Sequence, residues 1–182
     1  TFNDMSVVNI NSKQLVSGGS PSTDTPTHLE LYRNFDEIGA IVHTHSQFAT
    51  AWAQAAKPIP CLGTTHADYW NGEVPVTRSL TKHEINQEYE LETGKRIVET
   101  LEEKNQDPIE CPGILVAHHG PFTWGKTVEE AVYYAEMLEY IAKLAWMTLQ
   151  IQPSANPISI PLHQRHFTRK HGPKAYYGQK NS

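Results

Sequence analysis

The sequence has no apolar run approaching the length of a membrane span, and no positively charged start followed by an apolar signal core. Nothing in it therefore predicts a helical anchor or a secretion signal. Cysteine is scarce. Cys61 and Cys111 are the only two, and their spacing matches neither a metal knuckle nor a redox pair. They read as reduced thiols in a cytoplasmic protein. Long basic runs are also missing, and the net charge of −5 argues against nucleic acid as the main partner. Charged residues make up only 19% and apolar residues 38%, yet that is enough apolar content to exclude disorder. There is no repeat, low-complexity tract or splitting linker. A chain of 182 residues fits one domain around one core.

Short β-branched runs alternate with helical patterns. "MSVVNINSKQLVSGG" reads as strand, turn, strand, and "IGAIVHTH" as a buried strand. "SPSTDTPTH" is a loop opening a helix, with Thr25 as cap and Pro26 at its first position. "SQFATAWAQAA" is helical, and "IPCLGTTHADYWNG" is a short strand followed by a loop. "LTKHEINQEYELETGKRIVETLEEKN" predicts one long helix with a capping box from Thr81 and Glu84. "CPGILVAHHGPFTWG" predicts a second buried strand ending in two histidines, then a turn. The last long helix follows, capped reciprocally by Thr127 and Glu130. Its apolar face runs through Val128, Ala131, Val132, Ala135, Leu138, Ala142, Ala145, Trp146 and Leu149. The tail "PLHQRHFTRKHGPKAYYGQ" is polar, basic and aromatic. The fold class is α/β, a single domain with a central sheet flanked by helices. The early hairpin makes that sheet mixed or antiparallel.

His43 and His45 stand two apart at the end of "GAIVHTH". On a strand, alternate residues share a face, so both imidazoles project together with Thr44 turned away. Two ligands on one face suit a metal ion that takes three protein ligands and keeps a position open. A third belongs at the end of another strand, where "ILVAHHG" offers His118 or His119. Neighbouring residues on a strand face opposite ways, so one of the two joins the cluster, and spacing does not say which. Asp24 is a candidate fourth, weaker ligand. The bland alternative is strand-end histidines bonded to backbone. Imidazole donors favour zinc, with other divalent ions open.

The blocks "SPSTDTPTHLELY", "GAIVHTHSQFATAWAQA", "IPCLGTTHADYW", "EINQEYELETGKRIVET", "PGILVAHHGPFTWGK" and "RKHGPKAYYGQ" occur in this order. Together they resemble the class II aldolase and epimerase family over nearly the whole chain. The resemblance implies a three-layer α/β/α fold and a zinc-dependent sugar-phosphate enzyme. It implies inversion at C4 of L-ribulose 5-phosphate to give D-xylulose 5-phosphate, in pentose (arabinose) catabolism, and a homotetramer with active sites between subunits. The metal ligands it implies are His43, His45 and His119, with Asp24 beside them. Asp68 is implied as one acid/base and Tyr177, from a neighbouring subunit, as the other, with His166 assisting. Ser22 and Thr23 match a phosphate-binding pair ahead of Asp24. Family members carry a further segment ahead of this chain's start, holding loops that complete the phosphate pocket. Residues 1–182 thus read as a family domain lacking its N-terminal segment.

Alternatives stand beside these roles. Asp68 on residue chemistry alone is a loop-capping carboxylate, and Tyr177 a buried contact aromatic. His28 reads as structural or solvent-facing, His83, His163 and His171 as surface residues, and Glu90 as a solvated helix carboxylate. Trp52, Trp124 and Trp146 read as core or subunit-contact aromatics. A sugar-phosphate aldolase of the same family, and a non-catalytic zinc-binding paralogue, are the rival functions.

Overall fold

The computed structural model describes residues 4–172 and 175–177. A hairpin of β1 (Val7–Val8) and β2 (Leu15–Ser17) leads into α1 (Thr25–Asn34), β3 (Ala40–His43) and α2 (Gln47–Gln54). Two single-turn helices follow, α3 (Thr64–Ala67) and α4 (Lys82–Ile85), then α5 (Tyr89–Glu103). The chain closes with β4 (Gly113–Leu115), β5 (Pro121–Gly125), α6 (Val128–Ile151) and α7 (Ile160–Lys170). The named strands pair antiparallel, and an isolated parallel bridge joins Val76 to Leu115 of β4, so the sheet keeps the mixed character expected of it. The main sheet has three strands in the order β3-β5-β4.

The centre of that sheet is a strand the sequence reading took for a turn. "PFTWG" begins with proline and ends with glycine, which imitates loop punctuation. Pro121 is tolerated because it opens the strand, where its missing N–H costs no ladder bond. All five residues of β5 are buried, and α6 packs across it and β3. Phe122 and Trp124 lie in the core with Leu31, Ile97, Ile114 and Leu138. Burying each such side chain stabilises the fold by about 1.5–3 kcal/mol before chain entropy is set against it.

Four other expectations change. Thr25 is the first helical residue of α1, and Asp24 takes the cap position without a capping bond. The single long helix is two. α4 keeps the Thr81–Glu84 capping box, and a non-helical Glu88 separates it from α5. The break lets Glu84 meet Arg96 of α5 and Arg78 as well as its own cap. At α6, Thr127 accepts from the Glu130 N–H, but the Glu130 carboxylate takes the Lys126 N–H, so the cap is not reciprocal. The polar tail contains α7, which buries Phe167 against the rest of the fold.

Candidate metal and acid–base site

β3 and β5 together aim the first imidazole. His43 is the last ladder residue of β3 and pairs with Phe122. Its ring stacks on the Phe122 ring at 4.1 Å and 16°. Its Nδ1–H donates to the Pro121 carbonyl at 2.9 Å, which leaves the Nε2 lone pair pointing outward. His45 follows in extended chain beyond the strand, with its Nε2 3.2 Å from the Nε2 of His43.

The third imidazole comes from the β4–β5 turn. "AHHG" is not strand, as expected, but the turn itself. His118 occupies the left-handed region at φ 62°, and the His119 N–H returns to the Val116 carbonyl. His118 is thereby turned away, bonded to the Gln54 carbonyl at 3.2 Å and the Ser79 hydroxyl at 3.0 Å. His119 is turned in, its ring centroid 4.7 Å from that of His43 and 5.0 Å from that of His45. Gly120 makes this approach possible. A Cβ there would stand 2.8 Å from the Thr44 carbonyl and 3.5 Å from the His43 ring.

The donor set fits a divalent metal ion. One ligand atom from each of the three imidazoles lies within 4.8 Å of the other two. Nitrogens about 2.0–2.1 Å from a shared zinc-like ion would stand about 3.4 Å apart, close to the observed His43–His45 separation. Nδ1 of His119 is buried with no hydrogen-bond partner. Burial, and next the neighbouring His43, lowers the pKa of His119; burial also lowers that of His43. Both imidazoles are therefore held in the neutral form that binds metals. Asp24, on the α1 N-cap, brings a carboxylate oxygen to 4.0 Å from His43 Nε2. Ser22 and Thr23 are exposed just ahead of α1, and the Ser22 hydroxyl accepts the Asp24 N–H at 3.2 Å. His28 belongs to this neighbourhood rather than to solvent. Its ring sits edge-on to Phe122 at 5.8 Å, and burial, with His43 as a nearby second imidazole, lowers its pKa.

Asp68, His166 and Tyr177 assemble as a second group, where α3 meets α7. Asp68 ends α3 and is only 8% exposed. Arg169 grips its carboxylate with two parallel bonds, Nε to Oδ1 at 3.0 Å and Nη2 to Oδ2 at 2.7 Å. His166 donates Nδ1–H to Oδ1 at 3.2 Å, and His171 reaches the Asp68 carbonyl at 2.9 Å. Burial alone would push the Asp68 pKa up, but the bonds from Arg169 and His166 together hold it below the usual carboxylate range. Tyr177 lies on Arg169, its ring centroid 4.3 Å from the guanidinium carbon.

Arg169 is the residue that sequence reasoning passed over. One more cation in a basic tail carries no signal until the helix turns it toward Asp68. His163 and His171 are likewise not surface residues. His163 Nε2 lies 3.0 Å from both the Gly72 N–H and the Trp70 carbonyl, and His171 stacks on Phe167 at 4.3 Å. His83 is exposed, as expected.

Comparison with known proteins places these residues in context. Residues 1–146 match the family described as the class II aldolase and adducin N-terminal domain. The chain is 54% identical over 177 residues to L-ribulose-5-phosphate 4-epimerase UlaF of Salmonella paratyphi C (strain RKS4594), covering 97% of this chain and 77% of the relative. The counterpart from Salmonella choleraesuis (strain SC-B67) gives the same values, 54% over 97% and 77%. Among solved structures, an L-fuculose 1-phosphate aldolase superposes with a TM-score of 0.74 at 22% identity, covering 93% of this chain and 73% of that one, a likeness of fold.

Proposed function

The chain belongs to the class II aldolase and adducin family, and from that premise we propose that it is a metal-dependent epimerase that interconverts L-ribulose 5-phosphate and D-xylulose 5-phosphate at C4. The observation that carries this reading is the convergence of His43, His45 and His119 in a chain 54% identical to proteins of that named activity.

C4 of a ketopentose phosphate is not adjacent to the carbonyl, so its hydrogen is not acidic enough to remove directly. Breaking the C3–C4 bond avoids the problem, because the electron pair left at C3 is delocalised into the C2 carbonyl. His43, His45 and His119, with Asp24 beside them, would hold a zinc ion. When bound, the ion supplies Lewis-acid stabilisation of the negative charge on the C2 and C3 oxygens, worth several kcal/mol. His43 is held in the correct tautomer by its Pro121 bond, and Gly120 keeps the open side uncrowded.

Inversion then needs a proton acceptor on one face of the C4 oxygen and a donor on the other. Asp68, held ionised by Arg169, takes the hydroxyl proton as the bond breaks. The aldehyde fragment rotates and presents its opposite face. Tyr177, a phenol protonated at neutral pH, supplies the proton as the bond re-forms, and exchange with solvent then returns a proton from Asp68 to Tyr177 to reset the pair. His166 orients the Asp68 carboxylate through its 3.2 Å bond. Ser22 and Thr23, exposed just ahead of α1, bind the substrate phosphate through their hydroxyls.

Each site is completed between neighbouring copies, the metal group of one facing the Asp68–Tyr177 group of the next. Support comes from α6, which leaves Tyr133, Tyr140, Leu144, Met147 and Ile151 exposed. These recur at helical spacing on one face and suit a homotetramer. Among the described residues no helix is long and apolar enough to cross a membrane.

A family aldolase would end at separated fragments, and Asp24, a short carboxylate drawn toward the ligands, favours the epimerase. A non-catalytic zinc-binding paralogue has less support, because the chain is 54% identical to relatives named as epimerases. Incubation of the chain with L-ribulose 5-phosphate, with and without a chelator, tests the reading. It expects D-xylulose 5-phosphate in the first case only. Accumulation of glycolaldehyde with dihydroxyacetone phosphate would instead establish an aldolase.

A further inference from the structure

We propose that Arg169 is the positioning residue that couples the two proton-handling groups, clamping the edge of the Asp68 carboxylate while its flat face supports the Tyr177 ring. The inference rests on the epimerase reading for the roles of Asp68 and Tyr177.

The geometry is specific to a guanidinium. The two bonds, 3.0 Å to Oδ1 and 2.7 Å to Oδ2, form a fork that only a planar, two-nitrogen donor makes. The same planar group presents its face to Tyr177, with the ring centroid 4.3 Å from the guanidinium carbon. The Arg169 main chain holds the same tyrosine, its carbonyl accepting the Tyr177 N–H at 3.0 Å and the Tyr176 N–H at 2.9 Å. A side-chain substitution therefore removes the fork and the ring support but leaves the backbone anchor.

The bonding pattern also selects the reactive atom. Oδ1 accepts from both Arg169 Nε and His166 Nδ1, whereas Oδ2 accepts from Arg169 Nη2. Oδ2 keeps a lone pair and is the oxygen that receives the substrate proton. Around the carboxylate, α7 contributes His166, Arg169 and Lys170, its C-cap contributes His171, and α6 contributes Tyr133, whose own pKa burial raises and the Asp68 charge raises further. Arg169 is the group in this set that engages both carboxylate oxygens. Its loss should move Asp68 toward ordinary carboxylate behaviour and beyond, because the burial remains.

The test compares the wild-type chain with Arg169→Gln and Arg169→Lys, following turnover of L-ribulose 5-phosphate, bound zinc, and the Asp68 Cγ signal by carbon NMR against pH. For Arg169→Gln we expect wild-type zinc content, KM within about threefold and kcat lower by about 10²-fold. The acidic limb of kcat and the Asp68 signal should both move to higher pH by about one unit. Arg169→Lys keeps the charge but not the fork, so it should restore the limb while kcat stays below wild type. If Arg169→Gln does not fold, Arg169→Lys carries the comparison through its kcat. A folded, zinc-bound variant with unchanged kcat and unchanged limb overturns the proposal. A wild-type chain that leaves the substrate untouched, while the NMR shift between variants persists, overturns the epimerase reading and not the clamp.

Discussion

His66 lies in the middle of "TTHADYW", 4% exposed, with its Nε2 buried and unpartnered. Burial, more than any neighbour, brings its pKa down to about 4 from the ordinary 6.5. The folded state therefore resists protonation that the unfolded chain accepts. Stability is fully present above the unfolded value near 6.5 and is lost as pH falls toward 4. The gap corresponds to on the order of 3 kcal/mol. Urea titrations between pH 7 and pH 4 should show this loss, and His66→Gln should flatten the slope. At the metal group, His43→Ala should abolish bound zinc and turnover together, measured as metal per chain and product formed. Much of this scale was legible. The H-x-H spacing on a β-branched run predicts from alternation that the His43 and His45 imidazoles stand together, as they do. The choice of His119 over His118 was not open to that argument, because the pair sits on a turn where a left-handed His118 decides which ring faces inward.

Helices with regular apolar spacing were readable: α2 and α6 lie where their patterns put them, α1 starts one residue early, and α5 is the second part of a stretch that reads as one helix. Elements that depend on distant partners were not. β5 is a strand because β3 and β4 flank it and α6 covers it, and its own residues read as a turn. α7 is polar because only one narrow side of it meets the fold. α2 shows the same dependence. Its N-cap Ser46 makes no side-chain capping bond, and the cap comes from across the structure. The Glu139 carboxylate of α6 accepts the Phe48 N–H at 2.8 Å and the Ala49 N–H at 2.9 Å. An anion at those exposed N–H groups is favoured by both hydrogen bonding and the helix dipole. Glu139→Ala should destabilise the fold by about 1–2 kcal/mol, read as a lower urea midpoint. Because α2 begins just after His45, zinc affinity should fall in the same variant.

Taken whole, the molecule carries apolar stripes on opposite sides of α6. Ala131, Leu138, Ala142 and Ala145 face the core, while Tyr133, Tyr140, Leu144, Met147 and Ile151 stay exposed. The two sets are offset by two positions, roughly 200° around a helix. The sequence reading found a single stripe and included Val128, Val132 and Trp146, which are 64%, 43% and 48% exposed. A pattern cannot say whether a stripe meets its own core or another copy. Met147→Glu should shift the chain to a smaller species in sedimentation equilibrium. On the proposed reading, zinc per chain should be retained while turnover is lost, because each copy would keep its metal group but lose its neighbour's acid and base.

The seam between β3 and β5 joins residues 78 apart at His43 and Pro121, whereas β4 and β5 are joined by a turn of a few residues. Closing a long loop costs more entropy than zipping a short one, so the hairpin bearing His119 can take shape early and the strand bearing His43 must dock late. The candidate cradle is thus expected to close after the hairpin that bears His119. A partly folded molecule would offer a single imidazole there, and only the finished architecture brings three together.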